Sequence, residues 1–199
     1  MRTRELRDLV VSALVLALSF GIVLSGGFGA FQRPSALALA VGTALVAVSL
    51  GFIFHELAHR LVARRYNCFA EYVMWPMGLL VALGFSFFGF VFAAPGAVMI
   101  HPRPTAWGTA GLTCRKVGLI SLAGPGTNIG LAVVFLALNA VQPTLLFTLG
   151  AYINTWLALF NLIPFGPLDG AKIFRWNKGL WLVAIAGAGT LFVAQRFLM

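Results

Sequence analysis

The stretch FHELAHR, residues 54–60, places two histidines and a glutamate at the end of an apolar segment. Positions four apart lie on one face of an α-helix, so the imidazoles of His55 and His59 can converge on one ion. Glu56 lies about 100° around the helix from His55, so it can reach a water beside that ion without being a ligand. The spacing therefore predicts a divalent metal site with two imidazole ligands and a carboxylate that moves a proton.

The composition of the chain makes this pattern informative. The sequence has three histidines and five acids, and a chance HExxH pattern at this composition is roughly a one in a thousand event. A structural alternative is that helix carbonyls satisfy the histidines while Glu56 pairs with Arg60. However, ionisable groups in a membrane segment are costly, and function is their usual explanation. The pattern therefore favours the site of a zinc hydrolase.

A catalytic zinc site takes three protein ligands and a water, so a third ligand must come from elsewhere. The remaining candidates are four acids and one histidine: Glu5, Asp8, Glu71, Asp169 and His101. We assign Glu5 and Asp8 to the cytoplasmic amino terminus. Glu71 and His101 belong to solvated interfacial segments, with His101 as the alternative ligand. Asp169 is preferred because it closely follows a long apolar run on the same predicted side as the histidines.

The segment NLIPFGPLDGAK, residues 161–172, is unusual at the end of an apolar run. Its prolines and glycines interrupt a helix and free backbone groups that hydrocarbon cannot satisfy. Such backbone belongs beside a polar cavity, which supports Asp169 as the third ligand. The alternative is that Asp169 caps a helix or pairs with Lys172 at the surface.

The overall composition is that of an integral membrane protein. Hydrophobic residues make up 60% of the 199 residues, charged residues make up 10%, and the mean hydropathy is +0.95. Six apolar runs approach the roughly 20 residues that cross a bilayer. They are 9–24, 36–54, 79–94, 117–141, 145–163 and 180–197. We therefore predict an all-α polytopic membrane protein with five to six transmembrane segments.

The net charge of +9 comes from basic residues clustered at helix ends. This is where cytoplasmic anchors lie in membrane proteins, so a nucleic-acid partner is excluded. Arg2, Arg4 and Arg7 place the amino terminus in the cytoplasm, and we interpret 9–24 as a transmembrane helix rather than a signal peptide. The second helix then returns the histidine pair to the cytoplasmic side. The two cysteines do not form a CxxC pair and predict neither a disulfide framework nor a thiolate metal site.

The run 79–94 does not fit as one full crossing of the bilayer, because such a crossing would put Arg115 outside the cell. It is also short and rich in glycine. We therefore predict a re-entrant or interfacial element, flanked by short strands at 69–76 and 95–100, with a complete sixth span as the alternative. The stretch 101–116 has the composition of a loop.

Three motifs in order resemble those of the site-2 protease family of intramembrane zinc metalloproteases. They are HELAH in a membrane helix, GPGTN at 124–128, which is similar to the GxxxN element of that family, and NLIPFGPLDG. The resemblance spans residues 36 to about 173. It implies that His55, His59 and Asp169 are the zinc ligands and that Glu56 is the general base.

The same resemblance implies weaker roles for two asparagines. Asn128 is a candidate for holding the substrate or the oxyanion, and Asn161 is a polar group near the break before Asp169. The alternative for both is hydrogen bonding between helices.

The implied activity is hydrolysis of a peptide bond in or near the transmembrane segment of a membrane protein, in regulated intramembrane proteolysis. The resemblance implies one zinc ion per chain. We expect a single membrane-embedded domain over 1–199 with a catalytic core at about 36–173, and the chain departs from many members of the family in having no room for a PDZ or CBS module. A strand edge at 69–76 or 95–100 is expected to capture the unwound substrate. The alternatives are an intramembrane metal transporter and a catalytically inactive membrane scaffold.

Overall fold

The computed structural model describes residues 3–102, 104–105, 108–109 and 111–198. Within these residues the chain forms seven α-helices, one short 3-10 helix and four short strands. The helices are α1 (Thr3–Leu24), α2 (Pro34–Arg65), α3 (Pro76–Ser86), α4 (Cys114–Val141), α5 (Leu145–Asn161), α6 (Asp169–Trp176) and α7 (Lys178–Leu198), and the 3-10 helix is Gly27–Gln32. The strands are β1 (Cys68–Met74), β2 (Gly96–Pro102), β3 (Pro104–Thr105) and β4 (Gly108–Thr109).

Four of the described helices are long and apolar enough to cross a bilayer, namely α1, α2, α4 and α7. The helices α5, with 17 residues, and α3, with 11 residues, are apolar but shorter. The protein is therefore an integral membrane protein of the all-α polytopic class, and this prediction is confirmed. Each of the six predicted apolar runs overlaps one of these helices.

The helix α2 carries the histidine pair and is longer than its predicted apolar run. It begins at Pro34, whose fixed φ suits the first turn of a helix, and ends just before Asn67, which has a φ of +55°. Its 32 residues extend about 48 Å, compared with about 30 Å for the hydrocarbon core of a bilayer. The HELAH residues therefore lie near one end of a transmembrane helix.

The helices pack into one bundle in which α2, α4 and α5 are mutual neighbours, and α1 also packs against α2. Leu16 and Phe20 of α1, Val48 of α2, and Ile153 and Leu157 of α5 belong to one buried apolar cluster. Because lipid tails are as apolar as these side chains, close packing and interhelical hydrogen bonds stabilise such a bundle.

The run 79–94 is a re-entrant element. The amide of Trp75 donates to the carbonyl of Pro95 at 2.8 Å, so both ends of the element meet beside the β1–β2 sheet. Its far end reaches the 3-10 helix, where the amide of Phe28 donates to the carbonyl of Phe87 at 3.1 Å. Gly89, with a φ of +83°, turns the chain back. The segment therefore goes out as α3 and returns in an extended conformation, as predicted, instead of crossing once.

The two predicted strand segments form β1 and β2, which pair antiparallel with Tyr72 opposite Val98. The predicted loop 101–116 is only partly right. Residues 101–102 continue β2, and β3 pairs with β4 with Pro104 opposite Thr109. No turn motif in the sequence indicates these pairings. Residues 103, 106–107 and 110 lie outside the described part of the chain.

Candidate metal centre

Two imidazoles and a carboxylate meet at the end of the bundle that is rich in cationic residues. His55 and His59, on successive turns of α2, are buried, as is Asp169 at the start of α6. The two Nε2 atoms are 2.9 Å apart, and Asp169 Oδ2 lies 3.4 Å from that of His55 and 3.0 Å from that of His59. The structure thus brings together the three residues that were predicted to share an ion.

This arrangement fits a zinc ion. Tetrahedral ligands at zinc distances of about 2.0–2.1 Å lie about 3.4 Å from one another. All three ligand atoms lie within 4.8 Å of one another, and two nitrogens with one carboxylate oxygen form a known catalytic zinc donor set.

The other nitrogen of each imidazole has a specific partner. His59 Nδ1 lies 2.7 Å from the carbonyl oxygen of Ile120, and His55 Nδ1 lies 2.6 Å from Asn128 Oδ1. Oxygen atoms of these groups only accept, so each Nδ1 carries the proton and each Nε2 presents a lone pair towards Asp169. Such outer contacts orient metal-binding histidines.

Gly124 allows α4 to pass directly over the imidazoles. A Cβ atom added at this position would lie 2.3 Å from His59 Nε2 and 2.5 Å from His55 Nε2. Any larger residue would therefore occupy the space of the ligands. The GPGTN motif brings this glycine and Asn128, one turn further along α4, to the same side of the metal centre.

Asp169 is held by the irregular segment between α5 and α6. Gly170 packs so closely against the end of α5 that an added Cβ would lie 2.1 Å from the carbonyl oxygen of Leu162. Lys172 Nζ is 3.5 Å from Asp169 Oδ1, so the alternative pairing with Lys172 is present in addition to the imidazole contacts.

Glu56 lines the same cavity as the metal centre. This cavity is lined by His55, Glu56 and Asn161 and by Gly96 of β2. Among the described residues, Glu56 Oε2 is buried and has no hydrogen-bond partner. The expected structural alternative, a pair between Glu56 and Arg60, is not formed, because Arg60 pairs with Glu5 of α1.

The remaining predicted residues lie in different places. His101 is an exposed residue of β2, opposite Phe69, and is outside the His55–His59–Asp169 group. Glu5 and Asp8 are not in a solvated tail, since both are buried in α1. Asn161 lines the cavity, and its amide nitrogen donates to the carbonyl of Leu157 at 2.9 Å.

One residue of the site was missed by the sequence analysis. Asn154 on α5 is fully buried and accepts a hydrogen bond from Asn128 Nδ2 at 3.0 Å. An amide in the middle of the apolar run 145–163 was the available signal, because a buried amide in a membrane helix requires a partner. Asn154 also lies two helical turns before Asn161 on the same helix face.

A buried group of two imidazoles and a carboxylate in a helical membrane protein is a candidate metal centre with the donor set of a zinc enzyme. No protein-family model matches the chain, and no solved structure matches it. The putative zinc metalloprotease MJ0611 of Methanocaldococcus jannaschii is 40% identical over 188 residues, which cover 90% of this chain and 88% of that protein. The putative zinc metalloprotease Rip3 of Mycobacterium tuberculosis is 30% identical over 166 residues, covering 79% of this chain and 36% of that longer protein.

The chain therefore belongs to this family of zinc metalloproteases, in agreement with the resemblance to the site-2 proteases. Its activity is that of a metalloprotease and its cofactor is zinc.

Proposed function

We propose that the protein is an intramembrane zinc endopeptidase that hydrolyses a peptide bond in or near the transmembrane segment of a membrane protein, as a step of regulated proteolysis. One observation carries this proposal. The buried His55–His59–Asp169 group and Glu56, whose Oε2 atom has no hydrogen-bond partner, line one cavity near the end of a transmembrane helix.

In this proposal His55, His59 and Asp169 hold the zinc and Glu56 is the general base. When bound, zinc supplies a Lewis acid that polarises the scissile carbonyl and makes water a nucleophile near neutral pH. Glu56 accepts the proton of the attacking water and returns it to the leaving amine. Two ionised carboxylates and two neutral imidazoles also balance the charge of a divalent cation, which lowers the cost of burying all of them.

The free edge of β2 is the proposed docking site for an unwound substrate. Antiparallel strands alternate between bonded and non-bonded pairs, and the Trp75–Pro95 hydrogen bond sets this alternation. Tyr72 and Val98 therefore form a non-bonded pair, which agrees with the hydrogen bond of the Tyr72 amide to Glu5 at 3.3 Å. The amide and carbonyl of Val98 consequently point away from β1.

This outer edge of β2 lies beside the metal centre, since Gly96, Ala97 and Val98 line the cavity that contains Asp169. A peptide added there as a strand exposes its carbonyl groups to attack and pairs its own backbone with Val98. The corresponding edge of β1 is closed by Glu5. Asn161 lines the same cavity and is proposed to contact the bound peptide, whereas the amide of Asn128 is fully engaged by helix contacts.

We infer that the active site and the amino terminus face the cytoplasm. The pairing of Glu5 with Arg60 supports a common side for the start of α1 and the end of α2. Cationic residues at the end of α2, the start of α4 and around α6 lie on that side. They are Arg60, Arg64, Arg65, Arg115, Lys116, Lys172, Arg175 and Lys178. Such a bias is typical of the cytoplasmic face.

The test combines metal analysis with cleavage of a model transmembrane peptide by the purified protein. Glu56→Gln is expected to keep about one zinc per chain and to reduce kcat by about 10²–10⁴-fold, because only the proton acceptor is lost. Glu71→Gln, a matched change in β1, is expected to leave cleavage unchanged. Cleavage at the wild-type rate by Glu56→Gln contradicts the proposal, as does zinc flux through reconstituted vesicles in place of cleavage.

A further inference from the structure

We propose that Asn154 of α5 is a positioning residue that sets the tautomer and the direction of His55 through Asn128. The inference rests on the proposed function, in which His55 is a zinc ligand. It concerns three buried side chains that connect α2, α4 and α5.

The backbone carbonyl of Gly150 determines which atoms donate and which accept in this series of hydrogen bonds. Asn154 Nδ2 donates to the carbonyl oxygen of Gly150 at 2.9 Å. A carbonyl only accepts, so the nitrogen of the Asn154 amide is on this side and its oxygen faces Asn128. Asn154 therefore offers Asn128 an acceptor and no donor.

The amide of Asn128 then has one allowed orientation. Its Nδ2 donates one hydrogen to Asn154 Oδ1 at 3.0 Å and the other to the carbonyl of Gly51 at 3.1 Å. Its Oδ1 is left for His55 Nδ1, at 2.6 Å. A reversed Asn128 would place its oxygen against two acceptors, which is costly in a buried site.

The orientation of the Asn128 amide determines the tautomer of His55 at the metal centre. Because Asn128 presents an acceptor, His55 carries its proton on Nδ1 and keeps the Nε2 lone pair for the ion. His59 Nδ1 donates in the same way to a backbone group, the carbonyl oxygen of Ile120. The orientation of His59 is therefore fixed by the fold of α4, whereas that of His55 depends on the Asn128 side chain, which is oriented by Asn154 together with the Gly51 carbonyl.

The close packing around Asn154 supports this assignment. A Cβ added at Gly51 would lie 2.7 Å from Asn154 Oδ1, so α2 approaches α5 closely at this point. This leaves the amide little freedom to rotate away from Asn128.

The test uses Asn154→Leu, which has a similar size but no acceptor, and Thr155→Val as the matched control. Thr155 is equally buried on the same turn of α5, but its hydroxyl contacts Ala151 and Gln195 and leads away from the metal centre. Zinc affinity is measured by competition with a chelator. We expect Asn154→Leu to bind zinc about five- to tenfold more weakly, near the lower end of the range for outer contacts of metal ligands, and Thr155→Val to bind it like wild type.

A second readout observes the tautomer directly. The chain has only three histidines, so ¹⁵N-histidine labelling of the metal-free protein gives few imidazole signals. His55 is expected to be protonated on Nδ1 in the wild type and in Thr155→Val, and to populate both tautomers in Asn154→Leu. Equal zinc affinity and an unchanged His55 signal in Asn154→Leu overturn the proposal, as does an equal loss of zinc affinity in both variants.

The variant Asn154→Asp tests whether weaker zinc binding by Asn154→Leu comes from a folding defect. In its neutral form, which burial favours, a carboxyl group has one donor for Gly150 and one acceptor for Asn128. This variant is expected to restore wild-type zinc affinity, and failure to do so counts against the proposal. Retention of zinc by His55→Ala would instead refute the proposed ligand set, so the two failures are distinguishable.

Discussion

Gly124→Ala is the most direct test of the metal centre, because it adds a single methyl group on a helix that supplies no ligand. The added carbon would lie 2.3 Å from His59 Nε2 and 2.5 Å from His55 Nε2. Non-bonded atoms of this kind prefer about 3.5 Å, so the imidazoles or α4 must move by about 1 Å.

A displacement of this size is large for a metal site. Ligand distances in a working site vary by only about 0.2 Å, and a misplacement of about 1 Å costs on the order of 10²-fold in rate. We therefore expect Gly124→Ala to weaken zinc binding by about 100-fold or more and to reduce cleavage in proportion. Zinc content after dialysis and competition with a chelator measure the effect.

Gly126→Ala is the matched control on the same helix. An added Cβ at Gly126 meets nothing within 4 Å. Both substitutions raise helix propensity by about 1 kcal/mol, so a general effect on α4 is the same in the two proteins. Equal zinc affinity in Gly124→Ala and Gly126→Ala would refute the assignment of this glycine to the metal centre.

Three further predictions concern the substrate edge, the metal and the amino-terminal helix. Val98→Pro removes the outward amide of β2 without removing a bond to β1, so cleavage should slow while zinc content stays constant; Val98→Ala is the control, and an equal rate for both would exclude edge pairing. Removal of zinc with a chelator should abolish cleavage and added zinc should restore it, whereas activity that survives complete metal removal would exclude a metalloprotease. Glu5→Leu leaves Arg60 half-buried without its partner and should lower the free energy of unfolding by about 3 kcal/mol in thermal or denaturant melts. A double variant Glu5→Leu, Arg60→Met that recovers none of this loss would argue against the ion pair as its cause.

The sequence predicted that His55, His59 and Asp169 meet because all three carry local signals. A spacing of four residues joins His55 and His59 on one helix, and a broken helix at a membrane boundary marks Asp169. The re-entrant element was predicted because one full crossing would have put the basic residues at the start of α4 on the opposite side of the bilayer from those at the end of α2. Each of these inferences depends on helix geometry or on the cost of burying charge in lipid, which act on short stretches of sequence.

What the sequence did not predict depends on contacts between distant segments. The register of β1 and β2 has no turn motif to set it, because a re-entrant element separates the strands. Asn154 and Asn128 lie on different helices, and nothing in either segment specifies that they meet. The burial of Glu5 was also missed, since a carboxylate near three arginines at an amino terminus is typical of a solvated segment.

The distribution of acids gives an independent reason to assign proton transfer to Glu56. Among the described residues, the buried acids each have a partner: Glu5 has Arg60, Asp8 has Arg7, and Asp169 has two imidazoles and Lys172. Glu56 differs, because its Oε2 atom is buried and no side chain or backbone group satisfies it. Burying a carboxylate oxygen without a partner is unfavourable in a membrane protein, and the other buried carboxylates avoid it by pairing. The unpartnered oxygen of Glu56 therefore indicates a function that needs this oxygen free. Glu56 lines the cavity of the metal centre, where an attacking water must give up its proton.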